Sequence, residues 1–313
     1  MSVESVTIRD AATGSQAKIL PSLGFNCYEF RVASPDGPRD VLWSVADFGD
    51  GQQRPSSSGI PLLFPFPGRI PHGVLAWQGR EFHLPARDGR GNAIHGFVYD
   101  RPWRVIEQTA SRVVGQFQAS VDDPAILELW PADFRITATY EVALNTLHCR
   151  YRIENPDTRP LPCGLGTHPY FTVPTGDAAR ECLVRLPVTQ RWELQELLPT
   201  GRLLAVDDAP RFAAGLTLAD MSFDDVFTGL HFEGDECRAS IHSSPTGPTT
   251  TIRFDRTFRE CVVYTPPHRQ ALCIEPYSCV PGAFSLQDKG HDTGLRILPP
   301  GATFDATVEI VHG

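Results

Sequence analysis

Arg135-Ile136-Thr137-Ala138-Thr139-Tyr140-Glu141-Val142-Ala143-Leu144-Asn145-Thr146-Leu147-His148-Cys149-Arg150-Tyr151-Arg152-Ile153-Glu154 decides the fold. Ile136, Ala138, Tyr140, Val142 and Leu144 put apolar groups on one face, while Arg135, Thr137, Thr139 and Glu141 point the other way. A period of two is the signature of a half-buried strand. After a turn near Asn145 the alternation resumes, with Leu147, Cys149, Tyr151 and Ile153 set against His148, Arg150, Arg152 and Glu154. Two such runs joined by a short polar turn predict an antiparallel hairpin.

Short runs of the same kind extend outward in both directions: Val6-Ile8, Tyr28-Val32, Val74-Trp77, Trp103-Ile106, Val113-Phe117, Thr250-Phe254, Val262-Tyr264 and Thr307-Val311. The 28 prolines and 26 glycines break most long helices, and helical periodicity is almost absent. The prediction is an all-β chain whose strands stack as a large antiparallel β-sandwich. Ser56 to Gly59 and Asn155 to Pro160 read as loops within it, and no linker or repeat divides the 313 residues, so one domain over 1–313 is expected.

The formal net charge of −9 argues against nucleic acid and anionic membranes as partners, because both reward clustered Lys and Arg. Met1 to Asp10 alternates polar and apolar residues without a signal-peptide pattern, and no apolar run approaches a membrane span. A cytoplasmic monomer or homodimer acting on a small molecule is the expectation. The eight cysteines are scattered without a C-x-x-C pair and read as reduced thiols.

Two segments carry the strongest chemical signal: Gly164-Leu165-Gly166-Thr167-His168-Pro169-Tyr170-Phe171 and Ala271-Leu272-Cys273-Ile274-Glu275-Pro276-Tyr277-Ser278. In each, an ionisable residue precedes a proline, whose ring keeps that residue out of helical geometry. His168 and Glu275 should therefore sit on extended backbone, where they either face each other as acid and base or are ordinary strand ends. His95 lies beside Gly96, where backbone can approach a ligand closely; a surface turn is the alternative. Arg69 ends a proline-rich stiff stretch and offers a long donor, or simply snorkels from a core edge. Asp224 and Asp225 are adjacent, so on a strand at most one should enter a pocket. Among the ten histidines there is neither H-E-x-x-H nor paired Cys/His spacing, so no metal site is expected. A G-x-S-x-G elbow is absent, and Gly164-x-Gly166 lacks the third glycine of a dinucleotide fingerprint.

Taken in order from about Gly59 to Phe284, these segments resemble the aldose 1-epimerase (galactose mutarotase-like) family. Thr167 to Phe171, Ile274 to Ser278 and Pro281-Gly282-Ala283-Phe284 carry the resemblance most specifically; Asn92 to Phe97 and Phe223 to Phe227 are looser. The resemblance implies a galactose mutarotase-like supersandwich and interconversion of the α and β anomers of a free sugar without a cofactor. It implies Glu275 as general base and His168 as general acid, with His95, Arg69 and Asp224 holding the sugar. Reference pKa values leave the carboxylate ionised but the imidazole mostly neutral, so nearby negative charge is expected to keep His168 protonated. Two departures stand out: Gly68 precedes Arg69 where the family usually has asparagine, and Phe97 follows Gly96 where a second glycine is usual. Alternatives are a non-catalytic sugar-binding protein, a glycosidase using Asp224 and Glu275, and a hexose-6-phosphate mutarotase. Net acidity favours a neutral aldose, unless Arg101 and Arg104 turn inward beside Arg69 as a phosphate cradle.

Overall fold

In a computed structural model describing residues 4–34 and 37–313, the Arg135–Ala143 and Thr146–Glu154 strands pair antiparallel in a single unbroken register, Arg135 opposite Glu154 and Ala143 opposite Thr146. Ile136, Ala138, Tyr140, Val142, Leu147, Cys149, Tyr151 and Ile153 are at most 1% exposed, as the alternation requires. Leu144 departs from that pattern. It forms the turn with Asn145, takes a left-handed φ of 55° and is 65% exposed, because a two-residue hairpin loop leaves no place for it on the apolar face.

Neighbouring strands extend this hairpin into a ten-stranded sheet. Arg112–Gln118 and Arg104–Gln108 lie on one side; Thr303–His312, Thr249–Asp255, Glu236–His242, Leu183–Arg185 and Leu216–Thr217 follow on the other, with Phe232–Glu233 beside Glu236–His242. An eight-stranded sheet runs Leu198–Ala205, Gln190–Gln195, Asp224–Thr228, Glu260–Tyr264, Ala271–Tyr277, Gly166–Thr167, Leu62–Leu63, with Tyr170–Thr172 also on Ala271–Tyr277. All the pairings within both sheets are antiparallel. A four-stranded meander from Val6 to Asp40 packs its Ile8, Ile19, Phe25 and Phe30 into the same apolar interior. Phe25 stacks on Tyr140 of the hairpin at 5.5 Å between ring centres. The fold is thus the large antiparallel sandwich expected from the alternation. Helix is confined to short pieces such as Ala209–Ala214 and Ala283–Asp288, and no helix among the described residues is long and apolar enough to cross a membrane. All eight cysteines are free and buried.

One buried carboxyl outside the pocket has a measurable consequence. Glu260 is 2% exposed and accepts a hydrogen bond from Trp192 Nε1 at 3.0 Å. Burial raises its pKa to about 7, against the opposing hydrogen bonds from Trp192 and Thr228. A carboxyl raised in the fold contributes stability that is present below its unfolded value and lost as pH rises through the folded one. Between about pH 4.5 and 7 Glu260 should therefore withdraw about 3 kcal/mol. In Glu260→Gln the fall in unfolding free energy from pH 5 to pH 8 should shrink by about that amount, since other groups titrate alike in both proteins. Parallel urea titrations at the two pH values measure it; equal falls in both proteins would mean that Glu260 titrates normally.

Candidate active site

The strand Ala271–Tyr277 is buried at every position, and its edges show why the two proline-linked residues meet. Gly166 pairs with Tyr277 and Tyr170 pairs with Cys273, so His168, midway between, lies across from Glu275. Pro169 and Pro276 have no N–H to donate, and the ladder opens between the two pairs. The His168 N–H donates instead to the Pro61 carbonyl at 3.1 Å. His168 Nε2 and Glu275 Oε1 come to 3.4 Å, with the residues 7% and 1% exposed.

This pair lies at the base of a pocket of ≈ 240 Å³ that His95, Arg69 and Asp224 also line. The fold therefore brings all five predicted residues together. His95 and Gly96 are successive left-handed residues, φ 67° and 73°. A Cβ on Gly96 would fall 2.0 Å from the Phe64 carbonyl oxygen, so glycine is what lets this turn close against Phe64. The turn sets the His95 ring edge-on to His168, 5.7 Å between centres. Asp224 and Asp225 diverge as strand neighbours must: Asp224 opens into the pocket, while Asp225 pairs with Arg191 at 3.0 Å. Arg69 Nε donates to Asp88 Oδ2 at 3.1 Å.

Asp88 carried no signal in the sequence, yet it organises this wall. It also accepts from the Arg90 N–H at 2.7 Å, the Asn92 N–H at 2.9 Å and Asn92 Nδ2 at 2.8 Å. Burial alone would raise its carboxyl, but these bonds together outweigh burial and bring it to about 2. Tyr277 and Tyr170 stood inside the quoted segments without a role. Tyr277 donates its hydroxyl to Glu275 Oε2 at 2.7 Å, and Tyr170 stacks on His168 at 4.8 Å with 4° between the rings. Gly68 accounts for the missing asparagine: a Cβ there would meet Pro281 Cβ at 2.5 Å. Phe97 turns into the apolar interior, packed on Phe66 and Trp130. Arg101 and Arg104 do not turn inward. They are tied to Asp123 and Asp122, each at 2.8 Å, so the phosphate cradle is not formed.

Burial pushes both groups away from the expected charge states. Burial lowers His168 to about 3, aided by the positive charge of Arg54, and burial raises Glu275 well above the carboxylate range. Desolvation is the dominant influence and opposes protonation of His168. A carboxylate with an imidazolium and a carboxylic acid with an imidazole contain the same number of protons. Burial therefore favours a pair that is neutral overall and holds one proton. His168 Nδ1 has no hydrogen-bond partner among the described residues. His168, Cys273 and Glu275 present ligand atoms within 4.8 Å of one another. Burial pushes the Cys273 thiol well up.

The aldose 1-epimerase family profile matches residues 4–311. The chain belongs to the aldose 1-epimerase family. Within reach of that family it is similar to the uncharacterised Escherichia coli protein YihR, 27% identical over 230 residues covering 72% of this chain and 71% of YihR. Among solved structures it is similar to a galactose mutarotase-like protein from Clostridium acetobutylicum, with a TM-score of 0.86 at 21% identity, covering 99% of this chain and 98% of that one. A galactose 1-epimerase from Lactobacillus acidophilus superposes with a TM-score of 0.74 at 16% identity, covering 100% and 99%. These last two likenesses show the galactose mutarotase-like fold, and membership of the aldose 1-epimerase family supports isomerase chemistry on a sugar.

Proposed function

We propose that this protein interconverts the α and β anomers of an aldose by proton transfer between the sugar and the Glu275–His168 pair, without a cofactor. The observation that carries this reading is the 3.4 Å approach of His168 Nε2 to Glu275 Oε1 at the base of the pocket. Opening a pyranose removes the anomeric hydroxyl proton and delivers a proton to the ring oxygen. A neutral pair with one proton supplies one site to take and one to give. With the proton on His168, Glu275 is the base and His168 the acid; after rotation about C1–C2 the roles reverse and the other anomer closes. The Tyr277 hydroxyl favours the carboxylate form by donating to Oε2 and leaves Oε1 turned toward His168. That Arg69, fixed by Asp88, lines the pocket with His95 and Asp224 supports their holding hydroxyls and the ring oxygen.

Exchange spectroscopy by NMR on pure anomers, neutral and charged, should show anomerisation well above the spontaneous rate. Exhaustive chelation should leave that rate unchanged. Binding with no acceleration would make the protein a sugar sensor, and a loss on chelation restored by one divalent ion would assign the chemistry to a metal. Release of reducing sugar from an oligosaccharide would instead support the glycosidase reading.

A further inference from the structure

Arg54, absent from the motifs, lines the same pocket as Arg69, His95, His168, Asp224 and Glu275. We propose that the pocket takes an aldose bearing a singly charged anionic substituent away from its anomeric carbon, held by the Arg54 guanidinium and the Ser56 hydroxyl. The inference rests on the anomer-exchange reading and names its substrate class.

Three features of the loop support it. Arg54 Nε donates to Ser56 Oγ at 3.2 Å, which leaves the terminal guanidinium nitrogens and the serine O–H to meet an acceptor. No described carboxylate forms an ion pair with Arg54, whereas Arg69 is taken by Asp88 and Arg101 and Arg104 by Asp123 and Asp122. The loop is also fastened from behind. Asn26 Nδ2, fully buried, donates to the Pro55 carbonyl at 3.3 Å and the Ser58 carbonyl at 2.9 Å, and the Tyr170 hydroxyl donates to the Ser56 carbonyl at 2.9 Å. The loop's carbonyls are thus held inward by the protein, and Tyr170, through its stack on His168, couples the loop to the reacting pair.

Charge narrows the class. One unpaired guanidinium balances one negative charge, while a phosphate ester carries nearly two and is ordinarily met by several donors. The Asp224 carboxyl in the same pocket opposes further negative charge. The positive charge of Arg54 also disfavours imidazolium at His168 and His95. An anion beside Arg54 cancels that effect and eases protonation of the acid when substrate binds.

The test compares anomer exchange by NMR for glucose and galactose, each as the neutral sugar, the uronate, the 6-sulfate and the 6-phosphate, with wild type and Arg54→Gln. A uronate or 6-sulfate should exceed its neutral parent in kcat/KM by about 10- to 100-fold, chiefly through KM, and should exceed the 6-phosphate. In Arg54→Gln the monoanion-to-neutral ratio should collapse toward one, with an unchanged thermal midpoint showing that the fold survives. Acceleration of neutral sugars with no preference for monoanions, a preference that outlasts the substitution, or a preference for the 6-phosphate would each overturn the proposal while leaving the anomer-exchange reading intact. No acceleration of any sugar would remove both.

Discussion

Glu275→Gln should lower the rate of anomer exchange by about 10² to 10⁴, the range a positioned general acid or base contributes. The amide keeps the shape, and its carbonyl oxygen still accepts the Tyr277 hydroxyl that lies 2.7 Å from the carboxyl, so binding should change little. What is lost is the ability to take a proton. Stability should hold or rise, because burial disfavours the ionised carboxylate at this position and glutamine has no ionised form. Progress curves from a freshly dissolved anomer, set beside a thermal melt, check both statements. A loss under tenfold in a folded variant would remove Glu275 from proton transfer.

His168→Asn should produce a fall of the same order in kcat with KM nearly preserved. The imidazole alone can exchange the pair's single proton across the 3.4 Å to Glu275, and asparagine offers neither a basic nor an acidic nitrogen. The kcat–KM split separates this role from a binding one. If KM rises at constant kcat, His168 is a ligand contact and His95, 5.7 Å away between ring centres, becomes the first candidate for the acid. Because each residue completes the same one-proton unit, the double variant should be little slower than either single one.

The sandwich and the meeting of His168 with Glu275 were legible for physical reasons that a linear sequence retains. Alternation records which face of a strand is dry, and it predicted the Arg135 to Glu154 hairpin except at Leu144, where turn geometry overrode side-chain polarity. An X-Pro step constrains backbone locally, so His168 and Glu275 could be placed on extended chain without knowing what lay across from them. Burial is a property of the whole fold. The push of desolvation on the pair is therefore not readable from the charges that the sequence displays, because it arises only in the finished pocket. Arg54 and Asp88 were invisible for a related reason: an arginine in a loop reads the same whether or not a carboxylate sits beside it, and an aspartate's partners are set by the path of the chain.

The position of Thr303–His312 bears on how the molecule is made. This strand lies between Thr146–Glu154 and Thr249–Asp255, so each of them is an open edge until residues more than a hundred positions away from the hairpin arrive. Loop closure on that scale must precede the contacts that reward it, which makes such pairings slow to form. In the interval the hairpin presents a row of unpaired backbone donors and acceptors with an apolar face beside it, the arrangement most prone to pairing with another chain. The strand that completes the sheet is therefore also its guard against aggregation. The same demand falls on the other sheet, where the pocket depends on Gly166 meeting Tyr277 and Leu63 and on Tyr170 meeting Cys273, each across more than a hundred positions.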